Sequence, residues 1–221
     1  MTVFALKLVA LFSMLSDHLG YILFNKVTFM NIIGRLSFPI FAFLITEGYV
    51  HTKNLKKYFL RLFVFAILSQ VPFMLYLSLF NSTFALNIFF TLFLGLLAIT
   101  LFDKIKNKPL GLLFVIFIAI VSELIHCDYG WFGIVIIFLF YLFKNNKFYM
   151  NTSIIFLIFT DYLIKYFKQP SIVYIYLLIS TLFSLIFINL YSGKKGKNIK
   201  YFLYLFYPLH LLILYFVKIF I

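Results

Sequence analysis

Asp17, His18 and Arg35 are ionisable residues inside the first two apolar stretches of the sequence. Asp17 and His18 fall near the end of the first stretch, and Arg35 falls inside the second, from about residue 31 to 49. An ionisable side chain in lipid costs about 2.5 to 3.5 kcal/mol on insertion scales, so such residues usually mark a site. A short loop around Val27 folds the stretches back, nine residues after His18 and eight before Arg35. We therefore expect a carboxylate, an imidazole and a guanidinium at one depth in the outer half of a bilayer.

This combination of side chains suits acid–base chemistry in an acyl transfer. His18 is the candidate general base, because an imidazole with an unperturbed pKa of about 6.5 accepts a proton from an amine or hydroxyl at neutral pH. A neighbouring or opposing carboxylate, Asp17 or Asp128, would orient the ring. Other polar residues at this depth are candidates for stabilising charge on a thioester oxygen: Arg35, Asn87 and Gln70. Gln70 is also a candidate substrate contact, with Tyr207 and His210.

A second polar layer lies toward the opposite side of the membrane. Glu47 and His51 are four residues apart and share one helix face, and Arg61 opens the next apolar stretch across a basic loop. Lys57 and its neighbours in that loop could hold the phosphates of the acyl donor acetyl-coenzyme A by charge-assisted hydrogen bonds. The candidate donor site comprises Glu47, His51, Lys57 and Arg61. Two structural alternatives stay open: an interfacial anchoring pair, and lysines that only set the orientation of the chain.

The outer residues also have structural interpretations. Asp17 and Arg35 could form a buried ion pair that locks the first hairpin. Asp128 fits a helix-starting carboxylate, and Asn87 fits an interfacial cap. His210 follows a proline in the last stretch, where a kink with a satisfied histidine is the alternative to a substrate contact.

The composition places the chain in a membrane, because 65% of the 221 residues are hydrophobic, 11% are charged and the mean hydropathy is +1.09. A helical crossing takes about 20 apolar residues. The polar breaks separate nine apolar stretches, near residues 4–24, 30–50, 58–79, 86–102, 110–126, 129–143, 150–167, 171–191 and 201–220. The sixth and seventh are short, so eight to ten crossings are expected. We predict an all-α polytopic protein of one domain, residues 1–221, in the cell membrane.

The charges predict the orientation and exclude some functions. Every second loop is basic, and these four loops hold thirteen Lys and Arg residues, which puts the N-terminus inside and the C-terminus outside. The net charge of +13 is then mostly an orientation signal and an attraction to lipid headgroups, not a nucleic-acid surface. The single Cys127 excludes an internal disulfide, and His126 with Asp128 is too sparse a set for a metal site.

Several sequence blocks carry a family resemblance. They are ALKLVALFSMLSDHLGYILF from Ala5, IIGRLSFPIFAFLITEGYVHTKNLKKYFLRL from Ile32, SQVPF from Ser69, LNIFFTLFLGLLAI from Leu86, DYGWFGI from Asp128 and KYFLYLFYPLHLLILY from Lys200. In this order they resemble the TraX family of bacterial membrane proteins. That family is named after an F-plasmid protein linked to acetylation of the N-terminus of F pilin, and it is similar in character to multi-helix acyltransferases that use acyl-coenzyme A. The resemblance implies an integral-membrane N- or O-acetyltransferase, with His18 in the place of a catalytic histidine.

The expected function is transfer of an acetyl group from cytoplasmic acetyl-coenzyme A to an amine or hydroxyl at the membrane or its outer face. The acceptor could be a peptide, such as a pilin-like N-terminus, a glycan or a small molecule. The alternative is a small-solute or proton-coupled transporter in which Asp17, Arg35 and Asp128 form a charge relay. The sequence shows no persuasive internal repeat, which disfavours the transporter. A scaffold for other membrane proteins would need no intramembrane charge.

Overall fold

The chain is built from helices along the whole of its described length. The computed structural model describes residues 1–24 and 27–220. The helices in these ranges are α1 Val3–Leu23, α2 Phe29–Gly34, α3 Ser37–His51, α4 Leu55–Ser78, α5 Ile88–Lys104, α6 Lys108–Leu124, α7 Gly130–Leu142, α8 Lys147–Lys168, α9 Val173–Asn189 and α10 Lys200–Phe220. Taken together, α2 and α3 fill the second predicted stretch. Both ends of each predicted stretch then lie within three residues of the ends of the corresponding helical segment. The all-α polytopic membrane fold is therefore confirmed.

Four described segments are long and apolar enough to cross a membrane: α1, Phe29–His51, α4 and α10. The sixth stretch is short as expected, since α7 has 13 residues and a length of about 20 Å. The expectation that the seventh is short was wrong, because α8 has 22 residues. The side chain of Asn146 accepts hydrogen bonds from the backbone N–H groups of Phe148 and Tyr149, and this cap starts the helix three residues before the predicted stretch.

Helix α7 forms the centre of the bundle, and its isoleucines Ile134, Ile136 and Ile137 are fully buried. Helix α5 packs closely on it, because a Cβ at Gly95 would lie 2.3 Å from Ile137 Cδ1. The hydroxyl of Thr46 donates to the carbonyl of Ile137 at 3.2 Å, which fixes α3 against the same helix. The short buried α7 therefore aligns α3 and α5, two of the helices that carry predicted site residues.

The first hairpin is packed tightly at a glycine. A Cβ at Gly34 would lie 2.3 Å from Cβ of Asp17, so α1 and α2 are in contact at this level. The helix breaks directly afterwards, at Arg35 and Leu36 between α2 and α3. The turn predicted around Val27 includes Asn25 and Lys26, which lie outside the described residues. The close contact at Gly34 is what brings Arg35 beside Asp17.

At one end of the bundle, the start of the chain pairs with the loop between α9 and α10. Val3 N–H donates to the carbonyl of Lys194 at 2.8 Å, and Phe4 N–H donates to that of Lys195 at 3.0 Å. In return, Ser192 N–H donates to the carbonyl of Met1 at 2.8 Å. The orientation predicted from the loop charges puts this end in the cytoplasm, and we call it the cytoplasmic end.

Candidate active site

The Asp17 carboxylate and the Arg35 guanidinium form an ion pair within the bundle. Arg35 Nη2 donates to both carboxylate oxygens, at 2.7 and 2.8 Å. Asn31 Nδ2 donates to the Asp17 carbonyl at 2.9 Å and to Oδ1 at 3.3 Å. Tyr21 lies on the other side, with its hydroxyl oxygen 3.4 Å from Arg35 Nη2. The sequence predicted this proximity, and the pair has the geometry of the structural lock that was the alternative to catalysis.

His18 is oriented by His210, not by a carboxylate. His18 Nδ1 lies 2.8 Å from His210 Nε2, and His210 Nδ1 lies 2.8 Å from the carbonyl oxygen of Phe206. Neither Asp17 nor Asp128 hydrogen-bonds the His18 ring within the described residues, so the predicted carboxylate partner was wrong. The two histidines lie on α1 and α10, at opposite ends of the sequence, so sequence spacing cannot pair them.

The hydrogen-bond chain fixes the tautomers of both rings. A carbonyl oxygen only accepts, so His210 Nδ1 carries a hydrogen and, in the neutral ring, its Nε2 is an acceptor. His18 Nδ1 must then donate to it, which leaves His18 Nε2 unprotonated. Within the described chain this nitrogen has no hydrogen-bond partner, and it is not among the buried unpartnered atoms. His18 therefore presents the lone pair that a general base requires.

Tyr76 completes the surroundings of His18. The two rings meet edge to face with centroids 5.1 Å apart, and the Tyr76 hydroxyl donates to the backbone carbonyl of His18 at 3.3 Å. His210 is buried, with 4% exposure, and its ring stacks on Phe206. These contacts hold the two imidazoles in one arrangement, which is what a proton-transfer site needs.

Asn87 and Gln70 bind each other and neighbouring backbone. Asn87 Nδ2 donates to Gln70 Oε1 at 2.8 Å and to the carbonyl of Ala66 at 2.7 Å, while its Oδ1 caps α5 by accepting from Phe89 N–H. Gln70 Nε2 donates to the carbonyl of Ala85 at 2.8 Å. This network joins α4 to the start of α5 and favours the capping interpretation of Asn87. The predicted roles of Asn87 in catalysis and Gln70 in substrate binding stay predictions.

Asp128 is a part-buried residue of the loop between α6 and α7, within electrostatic reach of the ion pair. Its N–H donates to the carbonyl of Leu86 at 2.8 Å, and its own carbonyl accepts from the Thr91 hydroxyl. Burial raises the pKa of the Asp128 carboxyl, and the positive charge of Arg35 opposes that rise. The next residue, Tyr129, has a φ of +64° and stacks on Phe38 with centroids 3.7 Å apart. The loop thus places a second carboxyl within electrostatic reach of Arg35, near the start of α7.

A cavity of about 470 Å³ lies at the cytoplasmic end, among α1, α3, α4, α5, α10 and the loop between α9 and α10. Its polar lining includes the predicted donor-site residues Glu47, His51 and Arg61, together with the predicted substrate contact Tyr207. His51 Nδ1 lies 3.7 Å from Glu47 Oε2, so the predicted pair forms. The fourth donor-site residue, Lys57, is exposed and lies outside this lining.

The inner end of the cavity approaches the histidine pair without including it. Met14 and Tyr207 line the cavity, whereas His18 and His210 do not. Met14 is four residues before His18 and Tyr207 is three before His210, so on both helices the cavity stops about one turn short of the pair. Ion-pair residue Arg35 also lies outside the lining. The two predicted polar layers, one around His18 and one around Glu47, therefore approach each other near the middle of the bundle.

The chemistry of the cavity fits an anionic ligand. Its cationic lining residues are Lys7, Lys53, Arg61, Lys195, Lys197 and Lys200, and its one carboxylate is that of Glu47. Arg61 Nε is buried and has no hydrogen-bond partner within the described chain. A buried N–H of a charged group is costly to leave unsatisfied. The volume falls in the range of about 300 to 1,000 Å³ typical of small-molecule sites.

Sequence reasoning missed Lys7 and the lysines after α9. Lys7 lies inside the first apolar stretch, so the rule that singled out Arg35 would also have found it. Lys195, Lys197 and Lys200 were interpreted only as orientation charges. Nothing in their spacing shows that the loop folds back over the cavity.

Comparison with known proteins gives two findings. The family described as "TraX protein" matches residues 3–218 of this chain. The chain is also similar to a protein of Dichelobacter nodosus named "Probable fimbrial assembly protein FimC, serogroup H1", with 28% identity over 237 residues that cover 98% of this chain and 96% of the relative. No solved structure matches the chain significantly.

Proposed function

This chain belongs to the TraX family, and we propose from this premise that it is an integral-membrane acetyltransferase. The donor is acetyl-coenzyme A taken from the cytoplasm, and the acceptor is an amine or hydroxyl presented at the membrane or its outer face. One observation carries the proposal: the histidine pair lies about one helical turn beyond the inner end of a cavity whose mouth is basic.

The cavity residues would hold the donor. Arg61 has a buried N–H without a partner, and Lys7 faces the same space. Both are suited to phosphate oxygens, and the apolar inner wall at Met14 and Leu92 suits an uncharged thioester arm. When bound, the donor supplies an activated acetyl group at the inner end of the cavity, close to His18.

His18 would act on the acceptor. Its Nε2 accepts the proton that the acceptor nitrogen or oxygen loses as that atom bonds to the acetyl carbon, and it returns the proton to the sulfur whose bond to the carbon breaks. His18 is cationic between these steps, and its Nδ1–H then donates to His210 Nε2 as a charge-assisted hydrogen bond. His210 is thus a positioning residue that favours the protonated form of the base.

The charges on the outer side favour an amine over a hydroxyl. Asp17 and Asp128 carry two carboxyls against the single guanidinium of Arg35, so an incoming ammonium group is attracted. A peptide N-terminus is such a group, and it would release one proton to bulk water before its neutral amine attacks the acetyl carbon. The name of the fimbrial relative supports a pilin-like peptide as the acceptor.

The test is acetyl transfer by the purified full-length protein with labelled acetyl-coenzyme A and a peptide with a free N-terminus. His18→Asn should abolish transfer. His126→Asn is the matched control, because His126 is an exposed histidine in an outer loop, and asparagine tolerates its φ of +54°. Equal transfer by wild type and His18→Asn would remove His18 from the mechanism. Solute flux through wild-type proteoliposomes with no acetyl transfer would favour the transporter.

A further inference from the structure

The loop between α9 and α10 covers one side of the cavity mouth. It reads Ser192-Gly-Lys-Lys-Gly-Lys-Asn-Ile199, and it combines three lysines with two glycines in eight residues. The loop residues that line the cavity are Gly193, Lys195, Gly196, Lys197 and Asn198. The loop is therefore part of the cavity wall and not only a connection on the surface.

The backbone of this loop is held against the start of α1. The carbonyls of Lys194 and Lys195 accept hydrogen bonds from Val3 and Phe4, whose N–H groups belong to the first turn of α1 and have no partner within that helix. In a trans peptide the C=O and N–H groups point in opposite directions. The N–H groups of Lys195 and Gly196 therefore point away from α1, and they make no hydrogen bond within the described chain.

Glycine is required at residue 196 for two independent reasons. Its φ is +67°, a region that other residues rarely adopt, and a Cβ there would lie 2.9 Å from Thr2 Oγ1 and from Phe4 Cβ. Gly193 also has a positive φ, of +74°, although it has open space around it. These two positions give the loop its fixed curvature, in which amide groups are free to bind an anion.

The helices that form the rest of the mouth carry further cations. Lys7 and Arg61 line the cavity from α1 and α4, and Lys200 lines it at the start of α10. More positive charge faces this space than one phosphate group would neutralise. Lysines with free backbone amides recognise phosphate oxygens, and a group of several phosphates matches the loop and these helices together.

We infer that the loop Ser192–Ile199 binds the phosphates of the nucleotide end of the acyl donor, through Lys195 and Lys197 together with Arg61 in the same cavity lining. This inference rests on the proposed function. An anionic lipid headgroup carries the same phosphate chemistry. The nucleotide is the occupant assigned, because these lysines, although exposed, line a cavity that continues inward to Tyr207.

The experiment measures binding of coenzyme A to the full-length protein in a neutral detergent by calorimetry. The double variant Lys195→Gln with Lys197→Gln should weaken coenzyme A binding by about 10- to 100-fold. This range assumes that each lysine loses about one charge-assisted hydrogen bond, whose contribution is reduced because both lysines are exposed. Binding of pantetheine, which lacks the nucleotide phosphates, should be equal in variant and wild type. The matched control is Lys104→Gln with Lys106→Gln, which removes the same charge from the cytoplasmic end outside the cavity lining. This control should stay within about twofold of wild type.

The outcomes separate the loop from the proposed function. Unchanged binding in the loop variant, or equal weakening in the control, would overturn the inference while leaving coenzyme A binding intact. Binding of inorganic pyrophosphate that depends on the loop lysines, without binding of coenzyme A, would retain the phosphate site but remove the proposed donor. The same binding measurement can be made in nanodiscs. If wild type and the loop variant bind coenzyme A equally in phosphatidylglycerol nanodiscs but differ in phosphatidylcholine nanodiscs, the loop lysines bind lipid and the inference is overturned.

Discussion

Replacing His210 separates a positioning role from a structural one. His210→Leu removes the acceptor of the His18 Nδ1–H bond at 2.8 Å and leaves a side chain that suits the buried site. The bond becomes charge-assisted when His18 is protonated, and such bonds contribute about 1.5 to 3 kcal/mol. The expected loss in kcat is therefore about 10- to 150-fold. The KM for acetyl-coenzyme A should stay within about twofold, because His210 lies outside the cavity lining.

His210→Gln is the matched variant, because a glutamine Oε1 can accept from His18 Nδ1 where His210 Nε2 did. It should recover at least about a tenth of the wild-type kcat, because it restores the one hydrogen bond that His210→Leu removes. Initial rates at varied acetyl-coenzyme A concentration give both constants, and thermal unfolding in detergent shows whether each variant is folded. A folded His210→Leu protein with wild-type kcat, or one whose defect lies only in KM, would refute the tautomer argument.

Three further substitutions test the rest of the site. Asp17→Asn should destabilise the protein by about 3 to 5 kcal/mol, because it leaves the part-buried Arg35 charge without its partner, and a lowered midpoint of thermal unfolding would show it. Arg61→Lys should raise the KM for acetyl-coenzyme A about tenfold and leave kcat unchanged in steady-state assays, because lysine has no Nε–H in that position. In the same assay Lys57→Gln, outside the cavity, should match wild type. Gly34→Ala should lower stability by about 1 to 3 kcal/mol in thermal unfolding, since its Cβ would strike Asp17.

Local patterns were enough to predict the elements and the first hairpin. Polar breaks delimited the helices, because a segment that crosses lipid must be apolar and must form all of its backbone hydrogen bonds internally. The proximity of Asp17 to Arg35 was expected because the neighbouring His18 and Arg35 are nine and eight residues from the turn predicted around Val27, and helices rise uniformly along their axes. The length of α8 was misjudged because the helix begins at Lys147, directly after its N-cap Asn146, and capping was not considered there.

The central features of the site required tertiary information. His18 and His210 are 192 residues apart, and no periodicity within either helix points to the other ring. Asn87 and Gln70 look like free polar groups in the sequence, but they satisfy each other across α4 and α5. A polar residue in an apolar stretch shows that some partner exists, because an unsatisfied group there is costly. It does not show which partner that is, since the helix arrangement decides it.

The depth of the histidine pair limits how the two substrates can meet. Met14 is 11 residues beyond the start of α1 and His18 is 15, so they lie about 16 and 22 Å along the helix from the cytoplasmic end. The hydrocarbon core of a bilayer is about 30 Å thick. A donor whose phosphates stay at the cytoplasmic mouth must therefore extend a thin arm through half of the membrane. The acceptor needs to descend only a short distance from the opposite side, where Asp17, Arg35 and Asp128 lie. In the proposed mechanism each substrate enters from its own side, so the transfer would need no continuous water path between the two aqueous compartments.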